Sequence, residues 1–527
     1  IYLIFFCFLS LISLFLLYCF SFYSLYILFD FFSLGSFNLL VYLFYLDFYT
    51  FLFLMVLFSI VFCIYSFISY YFVYELNLSR FVNLLNLFIF SMVLLVVSPG
   101  LVSLLLGWDG LGFVSFLLVC WFGSGSSFSA SLKTFLFNRF GDSLFLVGLV
   151  LLFFYGGFGF VSSFTFLLFI ALFTKSALFP FSYWLPEAMA APTPVSALVH
   201  SSTLVVAGLY IIFRYIDVVS FLFTFLLSCV GLITLYLGSL SSIFTFDSKK
   251  LVAYSTLSQL GLLAFVLGLG LFDLFYSYLL VHAVFKASLF VSVGSFMVVG
   301  GHSQDLRYLS SLWFINPFFS LILFFSVFSL SGFPFLSCFF FKELILGGLT
   351  SLSFGLLFLF LFFFSLLLTV FYSFRLVFIF LLNSSFFLNN SLNMTYPLVS
   401  SVLFSFFILF YGLIFYFDFF YWVNPTSSLF ILVFFTLFIF LCYITVGNYN
   451  FFYSFMSVFY SALSYFIFRL FSISYFLDLN VFVFNFIYYL NSWVSFAYSF
   501  VNSGNFVLNL VYCLFFSLCV GVFLFAV

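Results

Sequence analysis

The sequence predicts an all-α protein that crosses a membrane about 14–16 times. Three observations lead there. Of 527 residues, 67% are apolar and only 5% are charged, against about 25% charged in an ordinary soluble domain. The apolar runs are continuous, whereas a lipid-facing β-barrel would alternate apolar and polar residues. In lipid every backbone polar group needs a partner, and a helix supplies all of them within one segment. At roughly 35 residues per span and loop, the length allows that number of helices. The same composition excludes a soluble enzyme, a disordered tail and a nucleic-acid binder, which needs clustered Lys and Arg.

The breaks in the apolar runs place the elements in order. Spans are expected near 1–20, 48–70, 82–98, 101–122, 132–154 and 161–178. Others are expected near 195–214, 220–240, 250–270, 275–299, 317–331 and 339–349, and four more near 355–382, 397–417, 428–446 and 505–527. Segment 20–45 reads as a short span or an interfacial piece. The aromatic stretch 450–500 reads as a helix along the membrane or one more span. No segment is polar enough for a separate soluble domain. The nine Cys form no CxxC pair and no Cys/His cluster with metal-ligand spacing, and read as small apolar fillers. The first residues, Ile1-Tyr2-Leu3-Ile4, lack the charged flank of a secretory signal. The 105 Phe fit a thymine-rich gene, which hints at an organelle origin.

The charges are unevenly spread. Between positions 109 and 343 lie 17 of the 25 charged residues and all three His. An ionisable group at the centre of a bilayer helix costs about 2.5–3.5 kcal/mol on insertion scales, so such groups are rare and usually functional. A dense centre between nearly charge-free ends reads as a functional core in a hydrophobic frame.

Within that core Lys133, Lys175, Lys249, Lys286 and Lys342 recur at intervals that approach a helical hairpin. Any one could be a loop Lys that snorkels. Lys175 is followed by Pro180 and Pro186. Lys342 follows Gly332-Phe333-Pro334 by about two turns. Gly/Pro breaks beside intramembrane Lys are the pattern of discontinuous transporter helices. His282 and Lys286, at i and i+4, share a helix face. Asp109 lies between apolar runs, Arg139 and Asp142 are three residues apart, and Asp247 precedes Lys249 and Lys250. Burial disfavours a charged Lys and a nearby carboxylate favours it, so a moving carboxylate loads or unloads the Lys. A row of such pairs bridged by His and water is a proton wire. The plainer alternative is that Arg139/Asp142 and Asp247/Lys249 neutralise each other for insertion. Lys133 and Lys250 read as structural or loop charges. Ser201 and Ser202 beside His200 do not make a nucleophile and base, since helix neighbours do not face each other.

These residues carry a resemblance. The stretches Gly107-Trp108-Asp109-Gly110-Leu111-Gly112 and Asn138-Arg139-Phe140-Gly141-Asp142 come first. WLPEAMAAPTPVSALVHSSTLVVAG (Trp184–Gly208), DSKKLVAYSTLSQLG (Asp247–Gly261), HAVFKASLF (His282–Phe290) and GFPFLSCFFFKELIL (Gly332–Leu346) follow. The chain resembles subunit 5 of respiratory complex I, the proton-pumping NADH–ubiquinone oxidoreductase. The likeness is close over about 75–350, weaker before it and mainly hydropathic after it.

The resemblance implies two inverted five-helix repeats, each with a broken helix, and a C-terminal extension with a lateral helix. It divides the chain into an N-terminal transmembrane part (1–74), an antiporter-like proton-translocating core (75–350), C-terminal helices (351–449), a lateral helix (450–504) and a closing span (505–527). It implies proton transfer through Asp109, Lys175, His200, Lys249, His282, Lys286 and Lys342. Asp109 would pair with Lys175, and Arg139, Asp142 and Asp247 would modulate the relay. Pro180, Pro186, Gly332 and Pro334 would mark the breaks. It implies no cofactor in this chain, with NADH, FMN, iron–sulfur clusters and ubiquinone in partner subunits. The implied partners are other membrane-arm subunits, the adjacent antiporter-like ones above all, and lipids such as cardiolipin, with no nucleic acid. The implied location is the mitochondrial inner membrane. Departures stand out: Asp109 replaces a Glu, so contact with Lys175 needs a water or a helix shift. Tyr278 replaces a His, Thr174 and Leu178 replace a Gly and a Gln, and Phe341 and Glu343 replace a Ser and an Asp. Two rival readings are a cation/proton antiporter and a structural filler whose relay has degenerated.

Overall fold

A computed structural model describes residues 25–32, 40–73, 75–98, 100–154, 164–216, 221–309, 317–332, 337–351 and 356–381. The chain divides into two compact units, Ile1–Trp422 and Val423–Val527, and all described residues belong to the first. The expected spans near 1–20, 397–417, 428–446 and 505–527 and the lateral helix at 450–504 lie outside them.

The first described element corrects an expectation. Leu25–Phe32 (β1) pairs antiparallel with Leu40–Leu46 (β2), from Leu25 opposite Leu46 to Phe32 opposite Leu40. The sequence reading made 20–45 a short span or an interfacial piece. A continuous apolar run of seven or eight residues has no period that separates strand from helix. Aromatic residues such as Tyr26, Phe29, Tyr42 and Phe44 favour strands.

The other long elements are helices: α1 (Phe48–Tyr71), α2 (Leu78–Val97), α3 (Leu101–Val119), α4 (Gly125–Phe154) and α5 (Phe164–Lys175). Next come α6 (Thr193–Arg214), α7 (Phe221–Phe244), α8 (Ser248–Gly268) and α9 (Phe272–Val299). Finally come α10 (Pro317–Ser331), α11 (Ser337–Ser351) and α12 (Leu356–Leu381). Eight stretches among the described residues are long and apolar enough to cross a membrane, and two shorter apolar helices accompany them. The 24 residues of α1 rise about 36 Å, enough for a hydrocarbon core of about 30 Å.

Local chemistry sets the ends and the fillings. Asp47 caps α1: its Oδ1 accepts the Thr50 N–H at 2.8 Å, and the Thr50 hydroxyl accepts the Asp47 N–H at 2.9 Å. This reciprocal pair satisfies donors that the first turn leaves open. Serines inside the bundle return their hydroxyls to their own helix, as Ser91 does to the Phe88 carbonyl at 2.7 Å, so a polar side chain costs little in an apolar surround. Phenylalanines fill the gaps between helices; Phe169 and Phe223 stack at 4.3 Å.

Glycine decides one packing contact. A Cβ on Gly231 of α7 would sit 2.5 Å from the Phe265 nitrogen and 2.8 Å from the Gly261 carbonyl oxygen of α8. A Cβ on Gly261 would sit 2.5 Å from the Leu235 nitrogen, and Gly238 and Gly268 meet facing backbone as closely. The two helices therefore touch backbone to backbone, the small-residue packing that holds helices together in lipid.

Two helices are interrupted. α5 stops at Lys175, and the chain passes through Ala177 at φ +52° and Pro180. A short turn follows (Trp184–Glu187, containing Pro186) before α6 begins at Thr193. α10 stops at Ser331, where Gly332 has φ +84°, a left-handed conformation that glycine adopts without a steric penalty. α11 resumes at Ser337; Pro334 falls in 333–336, outside the described residues.

Candidate functional site

The interruptions create oxygen atoms with no helical partner, and lysines occupy them. The Lys342 Nζ donates to the Leu330 and Ser331 carbonyls, both at 2.9 Å. These are the last carbonyls of α10, where a cation satisfies open acceptors and meets the negative end of the helix dipole. Gly332 lets it approach: a Cβ there would lie 3.0 Å from the Lys342 Cδ.

Lys175, at the end of α5, is 1% exposed. Its Nζ donates to the Trp108 carbonyl oxygen at 3.2 Å and lies 4.7 Å from the centre of the Trp108 ring. Asp142 Oδ1 is 4.0 Å away, and the same oxygen accepts the Trp108 indole N–H at 2.6 Å. Trp108 stacks on Phe145 at 5.5 Å. The carboxylate paired with Lys175 is thus Asp142, which is buried, and not Asp109 as the resemblance implies. Asp109 is half exposed and pairs with Arg139 at 3.5 Å; Arg139 also reaches Asp142 at 3.3 Å. Asp109 sits half exposed beside Arg139, whereas Asp142 is buried against the Trp108 indole.

His200 lies on α6 in a widened turn, Ser196–Thr203, where the Leu204 N–H bonds to the Val199 carbonyl five residues back. It is buried, neither ring nitrogen has a hydrogen-bond partner among the described residues, and its ring meets Trp184 edge-on at 6.1 Å. Trp184 donates its indole N–H to the Thr174 carbonyl at 2.8 Å, tying this region to the end of α5.

Lys249 is buried at the start of α8 and donates to the Ala191 carbonyl oxygen at 3.1 Å, just before α6. The expected partnership of Asp247 with Lys249 is not formed. Asp247 pairs with Lys250 at 3.2 Å, both half exposed, because adjacent helix positions point about 100° apart. Lys133 pairs at the surface with Glu187 at 3.1 Å.

On α9, His282 and Lys286 are fully buried. Lys286 donates to the Ser255 hydroxyl of α8 at 2.7 Å, and both His282 nitrogens lack a partner among the described residues. One turn away Tyr278 donates to Gln259 Oε1, and Gln259 Nε2 donates to the Tyr372 hydroxyl at 3.1 Å. Tyr278 therefore enters a polar chain joining α9, α8 and α12.

Several contributors were not singled out in the sequence. Ser255 and Gln259 sit inside the DSKKLVAYSTLSQLG stretch without a charge to mark them. The Trp108 indole lies beside Asp109 in its motif. Glu343 stands out in sequence only as a departure, yet it is buried with Oε1 unpartnered among the described residues. Arg214 and Asp47 form a bidentate pair at 2.6 and 2.9 Å, with Tyr210 accepting from Arg214 at 2.7 Å. The 167 residues between them hide that pair from any local motif.

This geometry defines a polytopic helix-bundle membrane protein with broken helices and buried ammonium groups held on backbone carbonyls and hydroxyls. The chain belongs to the NADH:quinone oxidoreductase/Mrp antiporter transmembrane family, whose match covers residues 98–371. NADH-ubiquinone oxidoreductase chain 5 of Anopheles gambiae is 44% identical over 318 residues, 58% of this chain and 55% of that protein. The chain 5 of Mytilus edulis is 42% identical over 351 residues, 63% of this chain and 61% of that one. The chain spans little more than half the length of the curated relatives it matches. Among solved structures, a chain of the membrane-bound sulfane sulfur reductase, an archaeal respiratory membrane complex, superposes with TM-score 0.70 at 20% identity, over 81% of this chain and 91% of that one. A chain of the Mrp complex from Dietzia sp. DQ12-45-1b superposes with TM-score 0.65 at 19% identity, over 74% and 76%. Both share the fold.

Proposed function

We propose that this chain is a proton-translocating membrane-arm subunit of NADH:ubiquinone oxidoreductase in the mitochondrial inner membrane, equivalent to its chain 5. NADH, FMN, iron–sulfur clusters and ubiquinone belong to partner subunits, and this chain moves protons only. Its neighbours are other membrane-arm subunits, the antiporter-like ones above all, with lipids such as cardiolipin around them.

The observation that carries the reading is the set of four buried lysines, Lys175, Lys249, Lys286 and Lys342, each held by a carbonyl or hydroxyl oxygen. Lys175 alone has a carboxylate within 4.0 Å, among the described residues. A structural charge would be neutralised by a fixed partner. Burial opposes the charge on such a lysine and neutral oxygens offset that only in part, so its protonation responds to a nearby charge, as a transfer site needs. His200 and His282, with no partner on either nitrogen among the described residues, accept and release protons between them. Asp109 and Asp142 share Arg139. When Arg139 moves to Asp109, Asp142 is left to Lys175 and loads it; when Arg139 moves to Asp142, Lys175 is unloaded. The two inverted repeats, Asp247 and the breaks at Pro180, Pro186, Gly332 and Pro334 belong to the same proposal.

The test uses the assembled complex in sealed vesicles. Lys175→Ala lowers the protons moved per NADH oxidised while the chain remains assembled. Unchanged pumping would remove the relay and leave a structural subunit. Sodium or potassium exchange without NADH would favour the antiporter reading.

A further inference from the structure

A cavity of about 320 Å³ opens at one end of the bundle, lined by Tyr71, Glu75, Phe122, Lys249, His302 and Gln304 among others. Lys249 is the one residue it shares with the buried site: Lys249 lines the cavity, and its ammonium donates to the Ala191 carbonyl at 3.1 Å. Glu75 and His302 are exposed at its mouth. Neither is part of the relay described above.

The wall that carries His302 is built to hold its shape. His302 has φ +63° and follows Gly301 at +66°. Such a conformation is unfavourable for a non-glycine residue and persists only where the surroundings enforce it. Here the His302 N–H bonds to the Met297 carbonyl at 2.7 Å, closing the end of α9. The next residues are stitched to α8: the Gln304 carbonyl accepts the Ser248 N–H at 2.8 Å and its hydroxyl at 2.9 Å. The Leu306 N–H bonds to the Phe246 carbonyl at 2.9 Å. Tyr71 meets the His302 ring edge-on at 5.7 Å. Beyond the wall Arg307 donates to Asp305 and holds its carboxyl below the usual range, so that pair is a fixed salt bridge.

We propose that this cavity is the aqueous entrance to the relay, with Glu75 and His302 collecting protons at its mouth and passing them to Lys249. It rests on the proton-transfer reading above. Carboxylates and imidazoles are side chains that pass protons in general acid–base chemistry, and these two stand at the opening. Tyr71 is the other titratable group facing the cavity from α1, and Lys249 the one facing it from α8.

The experiment compares Glu75→Gln/His302→Asn with Lys249→Ala and Lys175→Ala in the assembled complex in sealed vesicles. Asn is chosen because it tolerates the left-handed backbone. The double variant is expected to lower protons moved per NADH to the level of Lys175→Ala. Added imidazole, a small diffusible proton carrier, restores transfer in the double variant and not in the two lysine variants. A merely structural role would not be rescued this way. Full pumping by the double variant, with Lys175→Ala impaired, overturns the entrance and spares the relay. Full pumping by Lys175→Ala overturns both. Loss that imidazole does not restore assigns the pair a structural role and overturns the entrance.

Discussion

Trp108 holds Lys175 twice over: its carbonyl oxygen accepts from the ammonium at 3.2 Å, and its ring lies 4.7 Å away. The same residue fixes the counter-charge, because its indole N–H donates to Asp142 at 2.6 Å. One side chain thus sets the distance between a buried cation and its carboxylate.

Trp108→Phe keeps the aromatic face and the backbone carbonyl and removes only the donor to Asp142. A hydrogen bond to a charged group contributes about 1.5–3 kcal/mol. The expected outcome is proton transfer slowed by roughly ten-fold or more, with the chain still assembled, measured as NADH-driven acidification in vesicles.

The two acids near Lys175 should separate cleanly. Asp142→Asn leaves a buried ammonium without its carboxylate, a loss of about 3–5 kcal/mol when such pairs are broken. Asp109→Asn removes a half-exposed partner of Arg139, worth at most about 1 kcal/mol. Pumping is expected to collapse in the first and to fall only in part in the second, which takes away one of the two carboxylates that Arg139 serves in the proposed relay. The reverse ranking would place Asp109 on Lys175 after all.

Gly261→Val drives a side chain into the α7 backbone, where a Cβ would already lie 2.5 Å from the Leu235 nitrogen. Overpacking costs about 1–3 kcal/mol and more where backbone must move. The variant is expected to melt earlier or fail to assemble in thermal-shift and native-gel assays. Gly125→Ala, where a Cβ meets nothing within 4 Å, should match the parent.

Arg214→Lys keeps the charge but loses the fork that binds both Asp47 oxygens and the Tyr210 hydroxyl. Because Asp47 also caps α1, the loss is felt at two elements. A lowered melting temperature is expected, larger still for Arg214→Ala; an unshifted melt would show the pair to be dispensable.

Much of the helical framework was readable, because apolar runs interrupted by Gly, Pro and charge fix where helices lie in lipid. Expected spans at 48–70 and 275–299 correspond to α1 (Phe48–Tyr71) and α9 (Phe272–Val299). Segment 25–46 was not readable, since its run carries no period. For the site, charge made Lys175, Lys249, Lys286 and Lys342 visible, but their partners were not. Backbone carbonyls of Trp108, Ala191, Leu330 and Ser331 leave no trace in side-chain chemistry. That Asp142 and not Asp109 lies nearest Lys175 depends on which helix face is buried, and a single residue's identity does not announce that.

The glycine contact between α7 and α8 has a mechanical consequence. With Gly231, Gly238, Gly261 and Gly268 facing backbone, the pair has no side-chain cushion across which to slide, so it travels as one rigid strut. Lys249, Ser255 and Gln259 ride on that strut, and Arg375 of α12 grips the end near Lys249 through the Ser242 carbonyl at 2.9 Å. In the proposed relay, loading and unloading Lys175 would therefore leave these three at fixed spacing, with the play taken up where Arg139 stands between two carboxylates.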